Sequence, residues 1–242
     1  MITSILRAVY RKHLPYDLRR RIAQTKTWLH DHRKGLVFAT VSNQVPTPIS
    51  CTSITQRIMP SKTYDNKVHN LAVASGLVEQ VLILPNQVFS FSKTVGNPTA
   101  KRGFKCSRAL VNGVLEQVEG GGLCQLSGLI YQVALTAQLD IVERHNHSID
   151  IYTEDTRFTP LGSDATIVYG FKDLRIRNST PYPLRFGFSI NTQGITATLY
   201  STNHIPIQHV AFVRLQESPN KIVHTKNSEN KTIAVSTYQL PQ

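Results

Sequence analysis

The stretch Gly120-Gly121-Gly122-Leu123-Cys124-Gln125-Leu126-Ser127-Gly128, with the run behind it, constrains this chain more than any other segment. Glycine loses the most backbone freedom on ordering, so three in a row suit a loop that turns tightly or approaches something closely. The apolar run that follows ends near Leu139, with Leu126, Leu129, Ile130, Val133 and Ala137 at helical spacing and Ala134 beside them. Cys124 therefore falls in the first turn of a buried helix. Unpaired N–H groups and the helix dipole favour an anion there, which lowers the pKa of a thiol. The glycines also leave room for a substrate to reach the sulfur. The competing reading is a buried structural cysteine, because free cysteine is among the most buried residue types.

With 242 residues and 40% hydrophobic side chains, the chain can form one large domain or two small ones around a true core. Its three cysteines, Cys51, Cys106 and Cys124, are irregularly spaced. They form neither a disulfide framework nor a Cys-x-x-Cys zinc element. No run approaches the ~20 apolar residues that span a bilayer. Met1 to Arg7 carries no long apolar stretch and no cleavage site. The expected location is cytoplasmic, with reduced thiols. A net charge of +12 implies an anionic partner: nucleic acid, acidic lipid or a phosphorylated substrate. Nucleic acid fits least, since no recognised motif is present and the aromatics do not interleave with the basic residues.

Much of the positive charge lies in residues 1–34, where Arg7, Arg11, Lys12, Arg19, Arg20, Arg21, Lys26, Arg33 and Lys34 face only Asp17 and Asp31. Apolar residues at i, i+4 spacing predict a helix before Pro15. A second starts near Asp17, with Leu18, Ile22, Thr25 and Leu29 on one face and Gly35 as its stop. Basic amphipathic helices can lie on anionic membrane surfaces, which makes a peripheral place on the inner face of the membrane one expectation. The other is that the helices pack on the body and their charges are solvated.

Strands are expected at Leu36 to Val41, Ile49 to Ile58, Val81 to Leu84 and Val88 to Ser92, with a helix at Asp65 to Leu77 and a turn at Val45 to Pro48. Ala109-Leu110-Val111 and Val114-Leu115 flank Asn112-Gly113, a hairpin signal because Asn-Gly suits a type I′ turn. Ile141 to Ser148 is read as a strand carrying His145 and His147, and Thr159 to Asp164 as a loop leading into a strand at Ala165 to Tyr169. Leu174 to Arg177, Leu184 to Ile190 and Ile195 to Tyr200 complete the strands. The predicted class is α+β: a β-rich domain with a cysteine-bearing buried helix after a glycine-rich loop, plus basic N-terminal helices. The expected division is a basic helical segment 1–35, a domain 36–200 and a β or irregular tail 201–242.

A thiol acting as nucleophile needs a base and an orienting group. The chain offers Cys124, then His145 or His147, then Asp164, an order shared with papain-like and transglutaminase-like enzymes. On a strand both histidines would face one side, so alternation does not choose between them. Each has a plainer reading, as a hydrogen-bonded structural histidine or a turn aspartate. A zinc site built on Cys124, His145, His147 and an acid is a lesser alternative, with cysteine as ligand. No metal and no cofactor are expected.

Several stretches resemble the VanW-like family, named from an accessory protein of vancomycin-resistance clusters. They are Phe89-Ser90-Phe91 through Thr94-Val95-Gly96, Val111-Asn112-Gly113, the glycine-cysteine segment, Glu143-Arg144-His145-Asn146-His147-Ser148, Gly162-Ser163-Asp164-Ala165-Thr166 and Asp173 to Asn178. The resemblance covers roughly residues 65 to 190 and is to the shorter, cytoplasmic-looking members. It implies a setting in bacterial cell-wall chemistry and glycopeptide resistance, and it points to His147 over His145, because histidine before Ser or Thr is the family's characteristic pair. Cys124, His147 and Asp164 are then the expected catalytic residues, with Asp173 and Glu143 as lesser candidates for the acid. Gly121, Gly122, Gln125, Arg102, Arg144 and His145 are the expected substrate-binding residues. A cell-wall peptide or precursor is the expected substrate of a thiol hydrolase or acyltransferase. The alternatives are a non-catalytic module that binds an anionic wall precursor or lipid through Lys93, Lys101, Arg102 and Arg144, and an accessory that docks through residues 1–34.

Overall fold

The computed structural model describes residues 14–43, 49–111, 114–152 and 157–240. The helix expected before Pro15, the Val45 to Pro48 turn and the Asn112-Gly113 turn fall wholly or mostly outside these residues. In chain order the elements are α1 (Tyr16–Arg33), β1 (Thr40–Val41), β2 (Ile49–Gln56), α2 (Tyr64–Glu79), β3 (Val81–Leu82), β4 (Val88–Ser90), α3 (Phe91–Val95), β5 (Cys106–Val111) and β6 (Val114–Glu119). There follow α4 (Leu123–Thr136), β7 (Asp140–Glu143), β8 (Arg175–Arg177), β9 (Leu184–Asn191), β10 (Gly194–Ser201), β11 (Ala211–Gln216), β12 (Asn220–Lys226) and β13 (Thr232–Gln239). The fold is α+β. Three antiparallel three-stranded sheets have the orders β2-β10-β9, β4-β8-β7 and β11-β12-β13, and β5-β6 is a separate hairpin.

The core is built around α4. Leu126, Leu129, Ile130, Val133 and Ala134 are fully buried, and they pack with Leu71 and Ala74 of α2 and with Ile195, Ala197 and Leu199 of β10. Between Leu123 and Leu135 every residue except Cys124 is buried, as expected for a helix that is apolar all round. Gly128 lets the chain at Ser163 to Ala165 approach the helix: a Cβ there would stand 3.3 Å from the Ser163 carbonyl oxygen. The Ser127 hydroxyl donates to the Ala165 carbonyl at 2.6 Å. The helix that carries Cys124 is thereby tied to the loop that carries Asp164.

Four expectations need correction. Leu36 to Val41 is not a buried strand: Thr40 and Val41 pair with β3, Phe38 makes a single parallel bridge to Val88, and Val37 and Val41 are 59% and 62% exposed. An apolar run alone does not distinguish a core strand from an edge. The strand at Val88 stops at Ser90, whose hydroxyl accepts from the Lys93 N–H at 3.1 Å and so caps α3. The strand from Ile141 ends at Glu143, so His145 and His147 lie in irregular chain and the strand-face argument does not apply to them. Ala165 to Tyr169 is likewise no strand. Its backbone groups meet Ser127 and, through the Thr166 N–H, the His145 carbonyl at 2.7 Å.

Helix α1 is moored by Asp31, its one buried residue, through a 2.7 Å ion pair with Arg175. The apolar face read from its sequence is not covered, since Leu18 and Leu29 are 44% and 42% exposed.

Candidate functional site

The triglycine loop closes β6 onto α4. Gly121 lies against β5, where a Cβ would stand 2.1 Å from the Ser107 carbonyl oxygen. Gly122 has φ of +103°, a left-handed conformation that L side chains rarely adopt, and it immediately precedes the helix. Cys124 is consequently the second residue of α4, where its N–H has no intrahelical acceptor. The Gly121 carbonyl is held by Asn70 Nδ2 at 3.0 Å and the Gly120 N–H by the Lys105 carbonyl at 3.1 Å, so α2 and the start of the hairpin fix the loop.

Opposite the sulfur, the chain after β7 runs beside the last strand. Asn146 Nδ2 donates to the Thr237 carbonyl at 2.8 Å, and the Gln239 N–H donates to the Ser148 carbonyl at 2.8 Å. This places the His147 ring between Cys124 and Asp164. Its Nδ1 lies 2.6 Å from Asp164 Oδ2, and its backbone N–H donates to the same oxygen at 2.6 Å. With Nδ1 engaged by the carboxylate, Nε2 is the nitrogen left to act on the Cys124 sulfur, whose pKa the ring lowers. The Ile167 backbone lowers it as well.

Asp164 is itself held tightly. Arg144 Nη2 reaches its Oδ1 at 3.1 Å, and the Tyr238 hydroxyl donates to that oxygen too. Arg144 also donates from Nε to the Asp164 carbonyl at 2.7 Å, from Nη2 to the Gly162 carbonyl at 2.8 Å and from Nη1 to Ser236 Oγ at 2.6 Å. Its guanidinium lies 4.9 Å from the Tyr131 ring centroid. Gly162 has φ of +99°, and a Cβ there would stand 2.8 Å from Val223, so the loop seats directly on β12.

These contacts set the charge state. Burial pushes the Cys124 thiol up, but the hydrogen bond and positive charge of His147 outweigh it, and the thiol lies below its ordinary value. Burial would hold the His147 imidazole down. Its bonds to Asp164 and Cys124 raise it instead to about 10. Asp164 is pushed up by burial but drawn down to about 2 by His147, Arg144 and Tyr238. At neutral pH the imidazole is therefore protonated and the carboxylate ionised, and the imidazolium favours ionisation of the thiol beside it.

Not every expected binding residue joins them. A cavity of about 1220 Å³ opens beside the sulfur, lined by Cys124, His147, Gly122, Gln125, Lys67 and Arg108 among others. Arg102, Arg144 and His145 do not line it. Arg102 Nη1 holds the Val95 carbonyl at 2.5 Å and the Asn97 carbonyl at 3.2 Å, bracing the loop after α3. Arg144 is spent on Asp164, and the His145 ring turns to Glu143 at 2.9 Å. Gln125 anchors to the Arg57 carbonyl through Nε2 at 2.9 Å, and its Oε1 is buried without a hydrogen-bond partner. Asp173, a lesser candidate for the acid, is bonded to Ser90 and Arg175 and stands apart. Among the described residues no three His, Cys, Asp or Glu side chains converge as a metal site. Sequence reasoning missed Ser236 and Tyr238, whose strand lies in the tail, and Lys67, whose place on α2 gave no chemical signal.

The model of the family described as VanW like protein matches residues 66–200. The chain is 29% identical over 180 residues to the uncharacterized protein YoaR of Bacillus subtilis, covering 72% of this chain and 57% of that protein. It is 31% identical over 137 residues to the vancomycin B-type resistance protein VanW of Enterococcus faecalis, covering 57% of this chain and 50% of that one. The chain thus matches about half the length of these curated relatives. No solved structure matches it.

Proposed function

The chain belongs to the VanW-like protein family, and from that membership we propose that it is a cysteine-dependent enzyme of acyl transfer or amide hydrolysis. The observation that carries the reading is Cys124, His147 and Asp164 on one cavity wall, with His147 hydrogen-bonded to Asp164 and lowering the pKa of the thiol. The Cys124 thiolate attacks a carbonyl carbon, a C–S bond forms, and the carbonyl π electrons move onto oxygen. The oxyanion meets the unpaired Cys124 N–H at the start of α4. As the tetrahedral species collapses, the C–N or C–O bond breaks and the imidazolium gives its proton to the leaving group. His147 then accepts a proton from water or an acceptor amine as that nucleophile opens the thioester. Asp164 takes no proton; it fixes the ring and stabilises its charged form.

The glycopeptide-resistance name of one relative and the family's cell-wall setting make a peptide or precursor of the bacterial wall the substrate in this reading. Its test is thioester formation. Incubation with wall-derived peptides should add an acyl mass to Cys124 that hydroxylamine removes, and Cys124→Ala protein should show none. Wall turnover by Cys124→Ala protein at the native rate would remove the catalytic reading.

A second role has its own support. On α1 the side chain of Trp28 is 58% exposed, next to exposed Leu29 and among basic residues, a surface suited to an anionic bilayer. Among the described residues no helix is long and apolar enough to cross a membrane. Attachment to phosphatidylglycerol vesicles that weakens with salt and disappears on deleting residues 1–34 is the expected result. Undiminished binding by the truncated chain would end the idea.

A further inference from the structure

Two cations meet on the cavity wall beside the thiol, and neither is used by the series just described. Lys67 comes from the first turns of α2, and Arg108 from the middle of β5. The aliphatic stem of Lys67 crosses the start of α4 at Gly122, where a Cβ would stand 2.8 Å from Lys67 Cγ. The third glycine therefore makes room for this lysine. The Lys67 ammonium lies 5.5 Å from the Phe158 ring centroid and makes no ion pair among the described residues. Among the described residues the nearby carboxylates do not neutralise the pair. Asp150 is bound by Arg157 at 2.7 Å and Lys221 at 2.8 Å, and Asp164 by His147 and Arg144. Glu119 is also on the wall and makes no ion pair with either cation among the described residues. Arg108 lies close enough to lower the pKa of Tyr152, which burial raises and which also feels the Cys124 charge.

Like charges brought together in a partly desolvated wall repel unless an anion lies between them. Lys67 shows the cost: burial, then the charge of Arg108, lower it to about 8. We infer that Lys67 and Arg108 form an anion subsite beside Cys124, which holds a carboxylate or phosphate group of the acyl substrate close to the carbonyl under attack. The inference rests on the acyl-transfer reading and adds the class of substrate: an acyl compound with a negative charge near its reacting bond. Neutral amides lacking that charge enter the cavity without an anchor.

A pair of alkylating agents separates the two ideas. Iodoacetate carries a carboxylate and iodoacetamide does not, and both react at the same sulfur. The full chain with Cys51→Ser and Cys106→Ser provides a single target. The ratio of iodoacetate to iodoacetamide rates at Cys124 should fall about tenfold in Lys67→Met, Arg108→Gln double variants. Lys67→Arg, which keeps the charge, should hold the ratio near its starting value. An unchanged ratio in a double variant whose thermal unfolding matches the parent overturns the subsite. The iodoacetamide profile against pH reports the thiolate alone, so a failure of the catalytic reading shows there and not in the ratio. Protection by N-acetylalanine or by inorganic phosphate then tells a carboxylate anchor from a phosphoryl one. Protection by neither overturns the inference.

Discussion

Replacing Asp164 by asparagine keeps the shape of the side chain and removes its charge. In the folded protein that carboxylate accepts from the His147 N–H and Nδ1–H at 2.6 Å each, from Arg144 at 3.1 Å and from Tyr238. An asparagine offers one acceptor oxygen and turns an NH₂ toward donors. The fall of its pKa from 3.8 to about 2 corresponds to ~2.4 kcal/mol of preference for the charged form in the native state. Removing one partner of a buried ion pair costs ~3–5 kcal/mol, because Arg144 and the imidazolium are left without their counter-charge. The two figures describe the same interaction and are not summed; a loss of about 3 kcal/mol at pH 7 is expected from urea denaturation. The sign with pH follows from the direction of the shift. A carboxylate depressed on folding stabilises the protein above its unfolded pKa, and that stabilisation is lost as pH falls from 3.8 toward about 2. The gap between native and Asp164→Asn protein should therefore be constant near pH 5 to 6, narrow above about pH 6.5 as the stabilisation from the raised His147 is lost in the native protein, and close in acid. A gap below about 1 kcal/mol at pH 7, typical of an exposed pair, would show that the carboxylate is not held as described.

Two further substitutions probe the supports of the site. Tyr238→Phe removes one hydrogen bond to the Asp164 carboxylate and should cost about 1.5–3 kcal/mol in denaturant unfolding, since the acceptor is charged. Gly121→Ala drives a Cβ against the Ser107 carbonyl and should destabilise by about 1–3 kcal/mol, with slower alkylation of Cys124 as the loop shifts.

What could be read from the sequence divides by range. The α4 helix was legible because its apolar spacing and its glycine-rich start are local features, and β9 and β10 because they alternate around a short turn. The order Cys124, His147, Asp164 was visible, but their meeting was not. It depends on Gly128, Ser127 and Arg144, which join segments about 20 to 40 residues apart through one Ser127 hydrogen bond, several from Arg144 and one close approach. The histidines were misread as strand residues because the β7–β8 pairing, irregular between Ile141 and Glu143, stops there; the chain then follows β13, not β8. Tyr238 and Ser236 had no signal at all, as hydroxyls in an alternating tail that lies outside the family match. The binding roles expected for Arg144 and Arg102 followed from their charge near the motif, and the structure uses both charges internally.

The central claim is that Cys124 ionises below the ordinary thiol range because His147 is protonated beside it. The direct measurement is the rate of Cys124 carboxamidomethylation against pH in a Cys51→Ser, Cys106→Ser background, with and without His147→Ala. In the parent, the rate should rise at a lower pH than for an ordinary thiol and change again near pH 10, where the imidazolium loses its proton. Without His147, burial and the Asp164 charge raise the thiol and only the Ile167 backbone opposes them, and a thiol at its ordinary value is about 3% ionised at pH 7. Partly offset by the greater nucleophilicity of the more basic thiolate, this should slow alkylation at pH 7 by about tenfold. His145→Ala, which loses only the bond to Glu143, should retain the parent profile. A parent profile that rises only above pH 8, or one that His147→Ala leaves unmoved, would contradict the ion pair and return Cys124 to a structural role.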